Sequence, residues 1–278
     1  MLIVDSQVHL WENALMPSHH RQIMTYTKED LLAEMNAAGV DAALICPPTA
    51  LDTSTNALGW AAAREHRDRF AVMGWFEIDK PESREIIKTW RDIPNNYGAR
   101  WAMIHPHQIH WWTDGTMDWL WPEAEKRGIP LAFLVRGKWA EFASVAERHP
   151  GLKLTIDHCG RITGPKDDVA FADISQMLAL ARFPNVSIKV SGAPSYSSEA
   201  YPYRNIHTYL KQIFDAFGPE RTFWGTDITR MPCSYRECVT MFTEEMDWLK
   251  GRDLELVMGK ALCDWIGWDL EGIRAGRA

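Results

Sequence analysis

Cysteine is scarce and scattered in this chain. The five residues Cys46, Cys159, Cys233, Cys238 and Cys263 are odd in number and contain no CxxC pair, which argues against a disulfide framework and a structural zinc knuckle and suits a reducing cytoplasm. Positive charge is in deficit as well. With 30 Lys and Arg against 37 Asp and Glu, the net charge is −7, so the electrostatic footprint of a nucleic-acid or anionic-membrane binder is missing. No apolar run approaches the ~18 residues of a membrane span. The opening residues 1–5 lack the basic segment of a signal peptide, and no repeat with a period of roughly 20–50 residues is visible. The expectation is a cytoplasmic protein whose partner is a small molecule, with neither nucleic acid nor membrane, and with homo-oligomerisation left open.

What is present is a globular composition, 46% hydrophobic and 24% charged over 278 residues, with an excess of tryptophan: 14 Trp against 7 Tyr and 10 Phe. Most of these indoles are expected to pack, since Trp carries a large apolar area. Short apolar runs alternate with longer amphipathic stretches. Strands are expected at 2–8, 40–46, 70–76, 99–104, 130–135, 152–156, 186–190 and 221–225. Helices are expected between them at about 27–39, 54–66, 82–92, 115–128, 139–148, 168–182 and 206–217, then after strand eight, with a terminal helix at 253–267. Thr27 with Asp30 marks one helix start and Gly39 its stop. The clearest period is Ile206, Tyr209, Leu210, Ile213, Phe214 and Phe217. Eight strands alternating with eight helices predict an α/β fold, a single (β/α)8 barrel occupying residues 1–278 as one domain. An open doubly wound sheet would carry a Gly-rich turn after strand one, and Asp5-Ser-Gln-Val-His9 has none.

In such a barrel the active site lies at the C-terminal ends of the strands. Side chains alternate along a strand, so Gln7 and His9 share the inner side. Lys189, flanked by Ser187 and Ser191, faces inward because Val186, Ile188 and Val190 take the helix side. Strand four is read as ending at His105, strand five at Arg136, strand six at Asp157-His158 and strand eight at Asp227. An unpaired charge in a barrel interior is costly, so polar residues on six of eight strand ends point to a site rather than to a polar plug.

The residues at these positions resemble a known group. Ile3-Val-Asp-Ser-Gln-Val-His-Leu-Trp11 is similar to the strand-one signature D-x-H-x-H-x-W of the amidohydrolase-2 family within the amidohydrolase superfamily. Ile156-Asp-His-Cys-Gly-Arg161 resembles its D-H-x-G-K/R, Asn185-Val-Ser-Ile-Lys-Val-Ser-Gly192 its strand seven, Phe223-Trp-Gly-Thr-Asp227 its strand-eight end, and Met258-Gly-Lys-Ala-Leu262 its closing helix. The D-H-x-G form is closer to the branch of sugar-lactone and 2-pyrone-4,6-dicarboxylate lactonases than to the decarboxylases. One position departs from the pattern: Gln7 stands where the first His of H-x-H is usual, and an amide oxygen is a weak zinc ligand beside an imidazole.

The resemblance implies a hydrolase that opens a small carboxylated or polyhydroxylated lactone. Asp227 is the expected general base for water, with His9 and His158, helped by Gln7, donating to the carbonyl oxygen. Trp11, His105, Arg136 and Lys189 complete the expected substrate contacts, Arg offering a bidentate fork. No cofactor is expected to be required. The alternative is a divalent metal, zinc or manganese, held by His9, His158 and Asp227. His107 and His110 are read as surface or substrate-contact residues, and Trp111, Trp112, Trp119 and Trp121 as packing around the helix that follows. Arg161 is open between substrate contact and solvated loop; Arg230 and Tyr196 are placed near the substrate by topology alone. Cys159, beside His158, is not favoured as a nucleophile. Two other functions remain in competition: a metal-dependent decarboxylase of an aromatic acid, and a non-catalytic small-molecule-binding barrel.

Overall fold

Eight parallel strands form one sheet in chain order: β1 (Val4–Val8), β2 (Ala42–Ile45), β3 (Phe70–Gly74), β4 (Asn96–Trp101), β5 (Leu131–Phe133), β6 (Leu154–Ile156), β7 (Val186–Lys189) and β8 (Thr222–Phe223). This computed structural model describes every residue except Ile104, Arg136, Arg277 and Ala278. Helical segments join consecutive strands, as parallel neighbours require, and the sheet curls into the expected (β/α)8 barrel.

The last and first strands close the ring without a regular ladder. Ser6 N–H donates to the Trp224 carbonyl (3.1 Å) and Asp227 N–H to the Gln7 carbonyl (2.8 Å). The Asp5 carboxylate bridges the same seam. It accepts from Thr226 N–H (2.8 Å), Thr226 Oγ1 (2.5 Å) and Tyr235 OH (2.7 Å). The two chains approach so closely that a Cβ on Gly225 would lie 2.3 Å from Ser6 Oγ, so only glycine fits. Burial pushes the Asp5 carboxyl up to about 6, against the pull of these donors.

Two apolar layers follow from alternation along the strands. Val8, Ile45, Val72, Ile156 and Ile188 face outward onto helix residues such as Leu31, Phe142, Leu210 and Ile213. Leu44, Cys46, Ala71, Met73, Ala132 and Phe223 fill the lower barrel, stoppered by Leu262, Ile266 and Trp268 from the C-terminal segment. The Thr27–Asp30 capping box and the left-handed Gly39 stop are both present. Of the 14 tryptophans, nine are buried.

Three expectations about elements need correction. Strand four runs from Asn96, not from 99, and ends at Trp101 rather than near His105. Gly98 pairs with Met73 of β3, and it is glycine because a Cβ there would meet the Pro130 carbonyl at 2.5 Å. The stretch near 168–182 is three short turns, Asp167–Ala170, Ile174–Leu178 and Ala179–Arg182, rather than one helix. The terminal helix is interrupted by a wide turn at Leu256–Lys260, where Gly259 lies against the backbone of Val4.

Candidate active site

The strands deliver polar side chains to the barrel mouth, and left-handed turns then aim two of them. His158 (φ 54°) and Asp227 (φ 56°) lie in the left-handed region, which non-glycine residues occupy at a cost that tends to mark functional sites. His158 lies two residues beyond the end of β6 and Asp227 four beyond the end of β8, in the turns that leave the strands at the barrel mouth.

Beneath them is a buried charged floor. Asp157 accepts from Arg100 Nε (2.6 Å) and pairs with Lys189 Nζ (3.0 Å). Lys189 also donates to Gln7 Oε1 (3.0 Å) and approaches Cys46 Sγ (3.7 Å). Asp157 and Lys189 are fully buried and Arg100 is 3% exposed. Burial opposes ionisation of Asp157, but the two cations overcome it and hold the carboxyl well below its ordinary range. Arg100 comes from β4, whose inward residue the sequence reading missed because it ended that strand too late.

Above the floor, Asp227 is the centre. Its Oδ2 meets Arg230 Nε at 2.8 Å and lies 3.8 Å from His158 Nε2; its Oδ1 faces His9 Nε2 at 3.4 Å. Burial works to raise its pKa, but the positive charge beside it, nearest the Arg230 guanidinium, outweighs that and holds the carboxyl well below its ordinary range. Arg230 is fixed in turn by Thr163 Oγ1 (3.1 Å) and the Tyr196 hydroxyl (2.9 Å).

The histidines are neutral, and their tautomers follow from their partners. His9 Nδ1 must donate to the Cys46 carbonyl, which leaves a lone pair on Nε2. His158 Nε2 faces the Arg100 guanidinium (3.2 Å) and must accept, so its Nδ1–H donates to Ser191 Oγ (2.9 Å). Burial lowers the pKa of His9; burial and Arg230 push that of His158 well below the imidazole range. Neither Nε2 can therefore donate to a carbonyl oxygen, contrary to the expected role of this pair. His20, which the sequence reading passed over, reaches the same place from the loop after β1. Its Nδ1 bonds Thr229 Oγ1 (2.8 Å), and burial lowers its pKa to about 3. Ligand atoms of His9, His20 and Asp227 converge within 4.8 Å of one another, the one such group among the described residues.

These residues line a cavity of about 460 Å3 together with Arg100, His158, Arg161, His19, Thr163 and the apolar Met16, Ala102, Leu134 and Ile162. Arg161 is buried, not a solvated loop residue. It donates to the Cys159 and Ala170 carbonyls and pairs with Asp173, leaving one buried nitrogen, Nη2, without a partner.

Several expected contacts fall elsewhere. Trp11 is fully buried, donating to the Ile23 carbonyl (3.0 Å) and packing on Tyr26, where it anchors the β1 loop rather than a ligand. Gln7 and Lys189 belong to the floor, under the cavity. His105 is exposed on a separate groove with His107 and Trp111, because β4 ends four residues earlier. Arg136 lies outside the described residues. Trp112 and Trp121 pack on Phe133, and Trp119 donates to the Ile78 carbonyl. Cys159 is buried, and burial lifts its thiol to about 12, a poor setting for a nucleophile.

Residues 4–275 match the amidohydrolase family. The chain belongs to that family. It is 22% identical to an L-fucono-1,5-lactonase from Burkholderia ambifaria over 236 residues, 81% of this chain and 79% of the relative. In fold it is similar to an amidohydrolase from Burkholderia multivorans crystallised with zinc (TM-score 0.82, 20% identity, 96% of this chain and 99% of that one). It is also similar to a protein from Pseudomonas putida named as a candidate 2-pyrone-4,6-dicarboxylic acid hydrolase (TM-score 0.76, 18% identity, 96% and 98%).

Proposed function

We propose that this amidohydrolase hydrolyses a small lactone bearing a carboxylate. The observation that carries the reading is the charge of the cavity wall: one ionised carboxylate, Asp227, among three arginines, Arg100, Arg161 and Arg230. A volume of about 460 Å3 suits a single ring with substituents. The names of the lactonase relatives support the same chemistry.

Asp227 takes a proton from water as the water oxygen attacks the ring carbonyl carbon. The role needs an ionised, positioned acceptor, and the free Oδ1 supplies one. Negative charge developing on the carbonyl oxygen is met by guanidinium N–H groups at the cavity wall, since the histidine lone pairs cannot meet it. The C–O ring bond then breaks, and the proton held by Asp227 passes to the leaving alkoxide oxygen. Arg161, which lines the cavity and keeps one nitrogen, Nη2, without a partner, is the residue we assign to the substrate carboxylate. His9, His20 and Asp227 also form a donor set that fits a divalent cation, and such an ion would supply Lewis-acid polarisation and a more acidic water. The five free thiols fit work in a reducing cytoplasm.

The test is a panel of carboxylated and polyhydroxylated lactones followed by acid release, with carbon dioxide release measured in parallel on aromatic acids. Asp227→Asn is expected to lower kcat by about 10²–10⁴ in a chain that still folds, with a lower melting temperature because buried Arg230 loses its counter-ion. Undiminished turnover in that variant, or no acid release across the panel, would overturn the reading.

A further inference from the structure

The strand motifs would place a metal on Gln7, His9, His158 and Asp227, and the geometry rejects two of these. The Gln7 amide oxygen is already the acceptor for Lys189 beneath the cavity (3.0 Å). The His158 Nε2 lone pair is taken by Arg100 (3.2 Å). His9 is different. With Nδ1–H fixed on the Cys46 carbonyl, it presents a lone pair to Asp227 Oδ1 at 3.4 Å, and that oxygen has no hydrogen-bond donor although Asp227 is only 3% exposed. A cation seated between His9 Nε2 and this donorless carboxylate oxygen, where the ligand atoms of His9, His20 and Asp227 converge within 4.8 Å, would satisfy both.

We infer that one divalent cation, zinc in preference to magnesium or calcium, binds through His9, His20 and Asp227, with His20 of the β1 loop supplying the imidazole that position 7 lacks. Two imidazoles and a carboxylate with an open fourth position are a zinc-type set; magnesium and calcium favour all-oxygen ligands. Each ligand has the outer partner that such sites use to fix orientation. His9 is held by Cys46, His20 by Thr229 Oγ1 (2.8 Å), and Asp227 Oδ2 by Arg230 (2.8 Å). With Nδ1 of His20 engaged by the Thr229 hydroxyl, the ring nitrogen left over is Nε2. The loop is pinned to the β8 turn as well: Arg21 N–H donates to the Thr229 carbonyl at 2.7 Å, so His20 and Asp227 are positioned by the same short segment. Arg230 beside the carboxylate opposes the ion electrostatically, which weakens binding without moving the ligands.

The inference stands apart from the choice of lactone, and its test reads metal rather than turnover. The full chain is stripped with chelator, then titrated with zinc in competition with a chromogenic chelator and, separately, with cobalt(II). The wild type is expected to bind one equivalent of zinc and to show the visible absorption of four- or five-coordinate cobalt. His20→Ala and the closer isostere His20→Asn are expected to lose about tenfold or more in affinity and the cobalt band. Gln7→Leu and His158→Ala are expected to keep both. Failure of the wild type to bind at micromolar free zinc overturns the site, as does undiminished binding in folded His20 variants. Loss on replacing His158 equal to that on replacing His20 overturns the assignment of the third ligand. A null metal result leaves lactone hydrolysis standing, while one bound zinc with an inert lactone panel removes only the proposed substrate.

Discussion

Replacing Asp157 with Asn is the sharpest test of how the floor holds the barrel mouth. The side chain keeps its shape and loses its charge, leaving Arg100 and Lys189, 3% and 0% exposed, without their shared counter-ion at 2.6 and 3.0 Å. Breaking a buried pair by removing one partner costs ~3–5 kcal/mol, because the desolvation of the other is no longer offset. At ~2–4 °C per kcal/mol for a chain of this size, the melting temperature at pH 7 should fall by about 6–20 °C. The sign of the pH dependence follows from the depressed Asp157 pKa. A carboxyl whose folded value lies below the unfolded ~3.9 contributes stability that is full above that pH and fades as pH falls toward the folded value. The gap between wild type and variant is therefore constant near neutrality and narrows below about pH 4. Removing the orphaned ammonium by Lys189→Met in the Asn background should recover part of the loss, with a coupling of at least ~1 kcal/mol between the two sites. Urea unfolding followed by tryptophan fluorescence reads all three. A loss under ~1 kcal/mol at pH 7, or a gap that widens in acid, would refute the argument, since either means that solvent rather than Asp157 balances the cations.

Three shorter predictions follow from the same geometry. Burial lowers His9 and His158 and takes His20 to about 3, so in chelator-treated, metal-free protein any kcat/KM is expected to be flat between about pH 5 and 8; a limb near 6.5 that persists without metal would show that a charged imidazole takes part. Trp11→Ala should cost ~3–5 kcal/mol of stability, and retained stability with a raised KM would make Trp11 a substrate contact after all. Alkylation at pH 8, mapped by mass spectrometry, should reach half-buried Cys233 first, since its hydrogen bond with Cys238 favours the thiolate. Cys159 and Cys263, both pushed to about 12 by burial, should resist; early labelling of Cys159 would revive it as a nucleophile.

The parts of this site that lie on strands are legible in sequence because alternation is a physical rule with a period of two. Lys189 is assigned inward by the apolar parity of its neighbours, and it is inward. Even where β1 is irregular, with a register shift between Asp5 and Val8, Gln7 and His9 keep a common side. What the alternation cannot supply is the level at which a residue sits. Gln7 and Lys189 share the inner side with His9 but lie one layer down, and at that depth they satisfy each other instead of a ligand. Arg100 lies inside the strand expected at 99–104 and is missed because that strand is read as ending at His105, when it ends at Trp101; its earlier start, through Gly98, is set by the carbonyl of Pro130, a contact between residues more than thirty positions apart. His20 is missed for a different reason. It lies in an irregular segment where no period constrains its direction, and the only local signal is a pair of histidines after Pro17.

Gln7 and His20 are best understood as one change rather than two. Lys189 needs a buried acceptor besides Asp157, and the amide oxygen at position 7 provides it at 3.0 Å. An imidazole at the same place would have to turn a lone pair to that ammonium, and the lone pair used in this way is unavailable to a metal. A cation in this barrel therefore requires its nitrogen ligand from elsewhere, and the loop carrying His20 is tied to the β8 turn by both Thr229 Oγ1 and the Thr229 carbonyl. On this argument the glutamine is no relic of a lost site. It belongs to a floor in which the charges of Arg100, Asp157 and Lys189 settle one another, leaving Asp227, free at Oδ1, to face whatever enters the mouth.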